Sequence, residues 1–141
     1  MNLFFDSSAL LKRYLDEKGS DRIEELFHRA TLVFVSSITQ VECASTFRRL
    51  FHVRDMDKKV YQQVTAEASL DFPFFQIVDL DAQVKEICLQ LLIKYPLKSL
   101  DTIQLASLIH ASTEIESFVV SDQQLKKYAL KEGIHVIDPI Q

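Results

Sequence analysis

The chain has 141 residues, of which 48% are hydrophobic, and its 20 acidic and 16 basic residues give a net charge of -4. This apolar fraction excludes a disordered chain, and a chain of this length buries roughly two-thirds of its unfolded surface. With only 2 Cys and 2 Gly, a disulfide scaffold and a collagen-like repeat are excluded. No apolar run approaches the roughly 18 residues of a transmembrane helix. We therefore expect one cytoplasmic domain over residues 1–141, without a membrane segment.

The acidic balance also argues against a protein that is held on nucleic acid mainly by bulk positive charge. Net charge, however, does not show where along the chain the acids lie. The positions of individual acids, considered below, lead to a different interpretation.

Five short apolar runs predict β-strands, at residues 3–5, 31–35, 76–78, 117–120 and 135–137. Seven stretches between them predict helices: residues 9–15, a segment capped by Ser20, a segment from Ser36 or Ser37 to residue 52, and residues 56–70, 82–94, 99–111 and 123–132. Asp81 is the expected N-cap of the fifth helix, and Gly133 is the expected C-terminal stop of the seventh.

Short apolar strands that alternate with helices are typical of a parallel sheet covered on both faces. The predicted fold class is therefore α/β, a three-layer α/β/α sandwich around a central parallel sheet of four to five strands. In such sheets, ligands collect at the C-terminal ends of the strands, where the winding of the chain reverses.

Two acids follow strands directly. Asp6 comes after the first strand and Asp122 after the fourth, so the two carboxylates face each other if the winding reverses between these strands. Both also precede helices, and Asp is a preferred N-cap. Capping and a role in a site therefore both remain open for each residue.

A third acid, Asp101, lies at the start of a helix that is apolar almost all round and is therefore expected in the interior. A buried acid must be capped, paired or bound to a cation, because an isolated buried charge is costly. Ser99 is an alternative N-cap, which would leave Asp101 free for another role.

The fourth acid, Glu42, lies too far inside its helix to be a cap. It shares a face with Thr39, Ser45, Thr46 and Arg49, which leaves room for a ligand. The alternative is an ordinary glutamate at the edge of the core, paired with Arg49. The expected core stripe of this helix consists of Ile38, Val41, Ala44, Phe47, Leu50 and Phe51.

Four acids near one edge of a sheet would repel one another without a cation. All-oxygen ligation with several retained waters is typical of Mg²⁺ or Mn²⁺. The matching chemistry is phosphodiester hydrolysis, in which the metal activates a water and neutralises charge on the phosphate.

These residues resemble the PIN-domain ribonucleases, specifically the VapC-type toxins of toxin–antitoxin modules. The resemblance covers essentially the whole chain, in order. It rests on residues 5–10 (FDSSAL), 17–20 (EKGS), 37–42 (SITQVE), 100–106 (LDTIQLA), 119–125 (VVSDQQL) and 133–137 (GIHVI).

The resemblance implies a metal-dependent endoribonuclease that uses Mg²⁺ or Mn²⁺. Asp6, Glu42, Asp101 and Asp122 would form the acidic quartet, with Asp6 and Asp101 as the principal metal ligands. Glu42 and Asp122 would complete the site, directly or through water, and position the attacking water. The implied partners are an RNA substrate, a cognate antitoxin whose C-terminal segment fills the groove, and a second copy of the chain in a homodimer.

One position departs from the family pattern, because Val120 stands where many relatives carry a hydroxyl two residues before the fourth acid. The rival interpretation is a catalytically weak PIN-like module that binds RNA or protein. An Asp-x-Asp phosphatase is disfavoured, because position 8 is Ser. Arg49 and Lys98 are the best candidates for phosphate contacts, and Cys43 is expected to be a small buried residue rather than a nucleophile.

Overall fold

The computed structural model describes residues 1–141 and contains five strands and seven α-helices. The strands are β1 (Asn2–Phe5), β2 (Leu32–Ser36), β3 (Gln76–Val78), β4 (Ser117–Val119) and β5 (Val136–Ile137). The helices are α1 (Ser7–Tyr14), α2 (Ser20–Arg29), α3 (Thr39–His52), α4 (Lys58–Asp71), α5 (Ala82–Lys94), α6 (Ser99–His110) and α7 (Gln123–Lys131). Two short 3₁₀ turns, at Phe72–Phe74 and Ser112–Glu114, were not predicted.

All five strands are parallel, in the order β3-β2-β1-β4-β5. The first strand lies at the centre and pairs with β2 on one side and β4 on the other. The chain therefore builds the sheet outward in one direction and then in the other, so the winding reverses between β1 and β4. This confirms the predicted switch point and brings the residues that follow these two strands together.

Helices cover both faces of the sheet, which confirms the three-layer α/β/α sandwich. Leu3 and Phe5 point into one core with helices α1 to α4, whereas Phe4 points into the other core with α5 to α7. This alternation follows from the two-residue period of a strand. No helix combines the length and the apolar character that a membrane crossing requires.

Helix α3 differs from its prediction in both its start and its buried face. It begins at Thr39, because Ser36 still belongs to β2, and no side chain caps it. Thr39, Cys43 and Phe47 are buried in the helix, whereas Val41, assigned to the core stripe, is 70% exposed. The predicted core stripe was therefore right at Phe47 but wrong at Val41, because the buried face of the helix is rotated from the predicted one. The exposed face is left free for the cavity described below.

Three predicted caps can be compared with the structure. Asp81 caps α5, as predicted, by accepting a hydrogen bond from the Val84 amide at 2.8 Å. Gly133 lies just after the end of α7, also as predicted, and its φ of +77 is in the left-handed region. Ser20 is not the cap of α2, because Gly19 occupies that position with φ +96. The Ser20 hydroxyl instead donates to the Leu15 carbonyl at 2.9 Å and closes the preceding turn.

Candidate active site

A cavity of about 520 Å³ opens at the C-terminal edge of the sheet, beside the ends of β1 and β4. Asp6, Glu42, Asp101 and Asp122 all line it, so the structure brings the four sequence-predicted acids to one place. The other lining residues are polar or apolar, and one of them is basic: Ser7, Ser8, Leu11, Ser37, Ile38, Val41, Ser45, Thr46, Arg49, Leu100 and Gln104.

Asp6 is the most deeply buried of the four acids, at 3% exposure. It caps α1: Oδ1 accepts from the Ala9 amide at 3.0 Å, and the Ser8 hydroxyl lies 2.9 and 2.7 Å from its two oxygens. The pKa of Asp6 is raised from 3.8 to about 7, chiefly by burial and to a smaller degree by the charge of Asp122, while the hydrogen bonds from Ser8 and Ala9 oppose the rise. Asp6 thus serves both as a cap and as a carboxylate at the cavity.

Asp122 likewise caps a helix and faces the cavity. Its Oδ1 accepts from the Leu125 amide of α7 at 2.8 Å, while Oδ2 takes no hydrogen bond from the protein. The two possibilities left open by the sequence are therefore compatible, because capping uses one oxygen and leaves the other available.

The Ser8 hydroxyl links the two strand ends, a role that sequence reasoning missed. It contacts the Asp6 carboxylate and accepts from the Ser121 and Asp122 amides at 3.2 and 3.0 Å. Val120 is fully buried in the core on the α5–α7 side. The hydroxyl at this edge of the sheet therefore comes from the start of α1 rather than from residue 120.

Asp101 does not cap a helix. Lys98 occupies the N-cap position of α6, no side chain caps the helix, and Ser99 is its first helical residue, so the alternative cap proposed for Ser99 was wrong. Burial raises the pKa of Asp101, the charges of Asp122 and Glu42 raise it further, and Lys98 lowers it. The Asp101 carboxylate is thus close enough to two other members of the quartet for their charges to affect its pKa.

Glu42 is held through only one of its oxygens. Its Oε1 accepts from the Ser7 hydroxyl at 2.7 Å and from the Gln104 amide nitrogen at 2.9 Å, whereas Oε2 takes no hydrogen bond from the protein. It forms no ion pair with Arg49, so the alternative of an ordinary Glu42–Arg49 pair was wrong. Arg49 lines the same cavity with its guanidinium unpaired.

Cys43, the neighbour of Glu42, is 1% exposed. The pKa of its thiol is raised to about 12, chiefly by burial and also by the charges of Glu42 and Asp6. A thiol in this environment is neutral and unreactive at physiological pH. This confirms the prediction that Cys43 is a buried packing residue.

The fit of a divalent cation can be judged from the oxygens that line the cavity. The four acids supply hard oxygen donors, and the charge of Asp122 raises the pKa of both Asp6 and Asp101, as expected where negative charge lacks a counterion. No three potential ligand side chains are close enough together to hold an ion by themselves. The donors are the hard oxygens that divalent cations such as Mg²⁺ prefer, and water would have to supply the remaining ligands of a bound ion.

Comparison with known proteins assigns this chain to a family. Residues 3–131 match the family model described as the PIN domain. The chain belongs to the PIN domain family. No curated protein matches its sequence.

Solved structures similar to this PIN domain come from several bacteria. They include a toxin–antitoxin complex from Klebsiella pneumoniae (TM-score 0.69, 18% identity, 97% of each chain covered) and FitAcB from Neisseria gonorrhoeae (TM-score 0.74, 16% identity, 97% of each chain). VapC20 from Mycobacterium tuberculosis, a sarcin-ricin loop cleaving toxin, aligns over 89% of this chain and 94% of its own (TM-score 0.67, 12% identity). At these identities the likeness establishes a shared fold.

The raised pKa of Asp6 predicts a pH-dependent stability. Between about pH 4 and pH 7 the folded protein binds the Asp6 proton more tightly than the unfolded chain, so the free energy of unfolding falls as pH rises through this range. The shift corresponds to a loss of about 4 kcal/mol. Asp6→Asn, which can still cap α1, should flatten this part of the profile in urea unfolding measured from pH 4.5 to 8 in EDTA. Identical pH profiles for the two proteins would contradict the prediction.

The bridging role of Ser8 predicts that its hydroxyl stabilises the fold. Ser8→Ala leaves two backbone amides without their acceptor and should lower the free energy of unfolding by about 1–3 kcal/mol. It should also raise the pKa of Asp6 further, because the Ser8 hydrogen bond lowers that pKa. Ser121→Ala is the matched control, since the Ser121 hydroxyl makes no hydrogen bond. Equal stability of the two variants would count against the bridge.

Proposed function

We propose that this PIN domain is a divalent-cation-dependent endoribonuclease and the toxin of a toxin–antitoxin module. The observation that carries the proposal is the convergence of Asp6, Glu42, Asp101 and Asp122 on one cavity at the switch point of the sheet. Membership of the PIN domain family supports it, as does the likeness in fold to toxin–antitoxin complexes and to a toxin that cleaves the sarcin-ricin loop.

Asp6 and Asp101 are the proposed principal ligands of Mg²⁺ or Mn²⁺. When bound, the cation would lower the pKa of a water and neutralise negative charge on the phosphate. Glu42 and Asp122 would complete the site through Oε2 and Oδ2, the oxygens that make no hydrogen bonds within the protein. As hydrogen-bond acceptors, these two oxygens would also orient the attacking water toward phosphorus.

Arg49 and Lys98 are the proposed phosphate contacts. Arg49 lines the cavity without a carboxylate partner, and Lys98 lies close enough to Asp101 to lower its pKa. A guanidinium can bind two phosphate oxygens at once. The positive charges of Arg49 and Lys98 would therefore offset the repulsion between the acidic cavity and the RNA backbone.

The proposed protein partners are a cognate antitoxin and a second copy of the chain. The cavity rim exposes Val41 and Leu100, at 70% and 49%, which gives an antitoxin segment apolar surface to cover. Helix α5 exposes Leu89 and Ile93 at 55% and 87%, one helical turn apart, a surface suited to a homodimer contact. We further propose that residues 1–141 act as one domain in the cytoplasm, where the two unpaired cysteines would stay reduced.

Asp101→Asn tests the catalytic proposal. The variant should lose RNA cleavage and growth arrest but keep a thermal transition at least as high as that of the wild type, because a repelling charge is removed. Excess EDTA should abolish wild-type cleavage, and millimolar Mg²⁺ or Mn²⁺ should raise the wild-type melting temperature by mass action. Cleavage that persists in EDTA would refute the metal requirement. RNA or protein binding without any cleavage would favour the catalytically weak binding module.

Arg49→Gln tests the phosphate contact. Loss of one cation at the backbone should weaken RNA binding by a similar factor for all sequences and reduce the slope of log affinity against log salt by about 1. Arg48→Gln is the matched control, because Arg48 lies over the rings of Phe51 and Tyr61, at 5.4 and 6.0 Å, and does not line the cavity. An unchanged salt slope in Arg49→Gln would exclude the contact.

A further inference from the structure

Gln104 lies where three separate segments of the chain meet beneath the acidic cavity. Its amide nitrogen is 2.9 Å from Ser7 Oγ, 3.0 Å from Thr39 Oγ1 and 2.9 Å from Glu42 Oε1. The residue is 2% exposed and lies three positions after Asp101 on α6. It thus connects the helix that carries Asp101 to the residue after Asp6 and to the helix that carries Glu42.

The orientation of this amide follows from its partners. An ionised carboxylate can only accept hydrogen bonds, so the nitrogen and not the oxygen of Gln104 must face Glu42. The Ser7 hydroxyl donates its single hydrogen to Glu42 Oε1, so it can only accept from Gln104. Both contacts fix the same end of the amide toward the acid.

This orientation leaves Gln104 Oε1 as the one buried side-chain nitrogen or oxygen without a hydrogen-bond partner. A glutamine that served only the packing of α6 would be expected to satisfy both ends of its amide, as buried polar groups generally do. Here the carboxylate of Glu42 receives two donors while the amide oxygen receives none. The hydrogen bonds therefore satisfy the Glu42 carboxylate and leave the Gln104 amide oxygen unsatisfied.

The two donors also decide which carboxylate oxygen of Glu42 remains free of the protein. Ser7 and Gln104 both bind Oε1, so Oε2 is the oxygen left without a protein partner. Gln104 also lines the cavity, but its amide is neutral and its nitrogen faces Glu42, whereas Mg²⁺ is usually bound through carboxylates.

We propose that Gln104 is a positioning residue, which holds the Glu42 carboxylate by Oε1 so that Oε2 is presented to the cation and the attacking water. The inference rests on the proposed function for its consequence in catalysis. Residues that orient a metal ligand in this way commonly change metal affinity or activity by 10- to 100-fold when they are substituted.

Gln104→Met is the test, because it keeps the length of the side chain and removes its donors. Mn²⁺ binding, measured by calorimetry, should weaken about 10-fold or more, and kcat for RNA cleavage should fall while KM stays within about twofold. Ser7→Ala, which removes the other donor to Oε1 from a different segment, should shift both quantities in the same direction. Wild-type Mn²⁺ affinity and kcat in both variants would overturn the proposal.

Ser107→Ala is the matched control for a purely structural effect. Ser107 is also fully buried on α6, one turn after Gln104, but its hydroxyl bonds to Ser36 Oγ and the Ile103 carbonyl and touches none of the four acids. It should lower the melting temperature without changing Mn²⁺ affinity or kcat. Parallel losses of metal affinity in Gln104→Met and Ser107→Ala would assign Gln104 to packing alone.

A double-mutant cycle in EDTA separates the failure of this inference from that of the proposed function. If wild-type protein neither binds Mn²⁺ nor cuts RNA, the proposed function fails, and Gln104→Met combined with Glu42→Ala still tests the contact. The joint change in the unfolding equilibrium constant should differ from the product of the single changes by about fivefold or more, whereas Ser107→Ala with Glu42→Ala should be multiplicative. A multiplicative Gln104–Glu42 pair would refute the inference.

Discussion

The repulsion among four carboxylates at the switch point of the sheet is the constraint on which the rest of the site depends. Parallel pairing of β1 with both β2 and β4 places Asp6 and Asp122 at adjacent strand ends. Burial of Asp6 makes its charged form costly, and its pKa rises to about 7. The surrounding groups can be understood as ways to hold these acids in place without neutralising them. The capping amides and the Ser8 hydroxyl donate to the acids, but neither carries a positive charge.

The site also connects the two layers of helices. Helices α1 and α3 belong to one face of the sheet and α6 to the other. They meet beyond the strand ends, where Ser7 and Glu42 from one layer contact Gln104 from the other. The walls of the cavity therefore belong to both cores of the protein.

Much of this arrangement can be predicted from the sequence. Strand and helix positions follow from hydrophobic runs, and the acids stand out because Asp6 and Asp122 come directly after apolar strands. The rotation of α3 could not be predicted, since Val41 lines a cavity and an apolar residue there is indistinguishable by pattern from a core residue. The Gln104 contacts were also missed, because its partners lie 62 to 97 positions away in the chain, and a polar residue in an apolar helix does not reveal them.

The central position of β1 has a consequence for synthesis of the chain on the ribosome. β1 can pair with β2 once the chain has been made as far as Ser36, but its other neighbour, β4, begins only at Ser117. Domains generally begin to fold from the N-terminus while the remainder is still being made. A growing chain therefore contains Asp6 and Glu42 long before Asp101 and Asp122 can join them. The acidic cavity is therefore complete only after Asp122 has been made and β4 has paired with β1, so a nascent chain that ends before this residue lacks the assembled cavity.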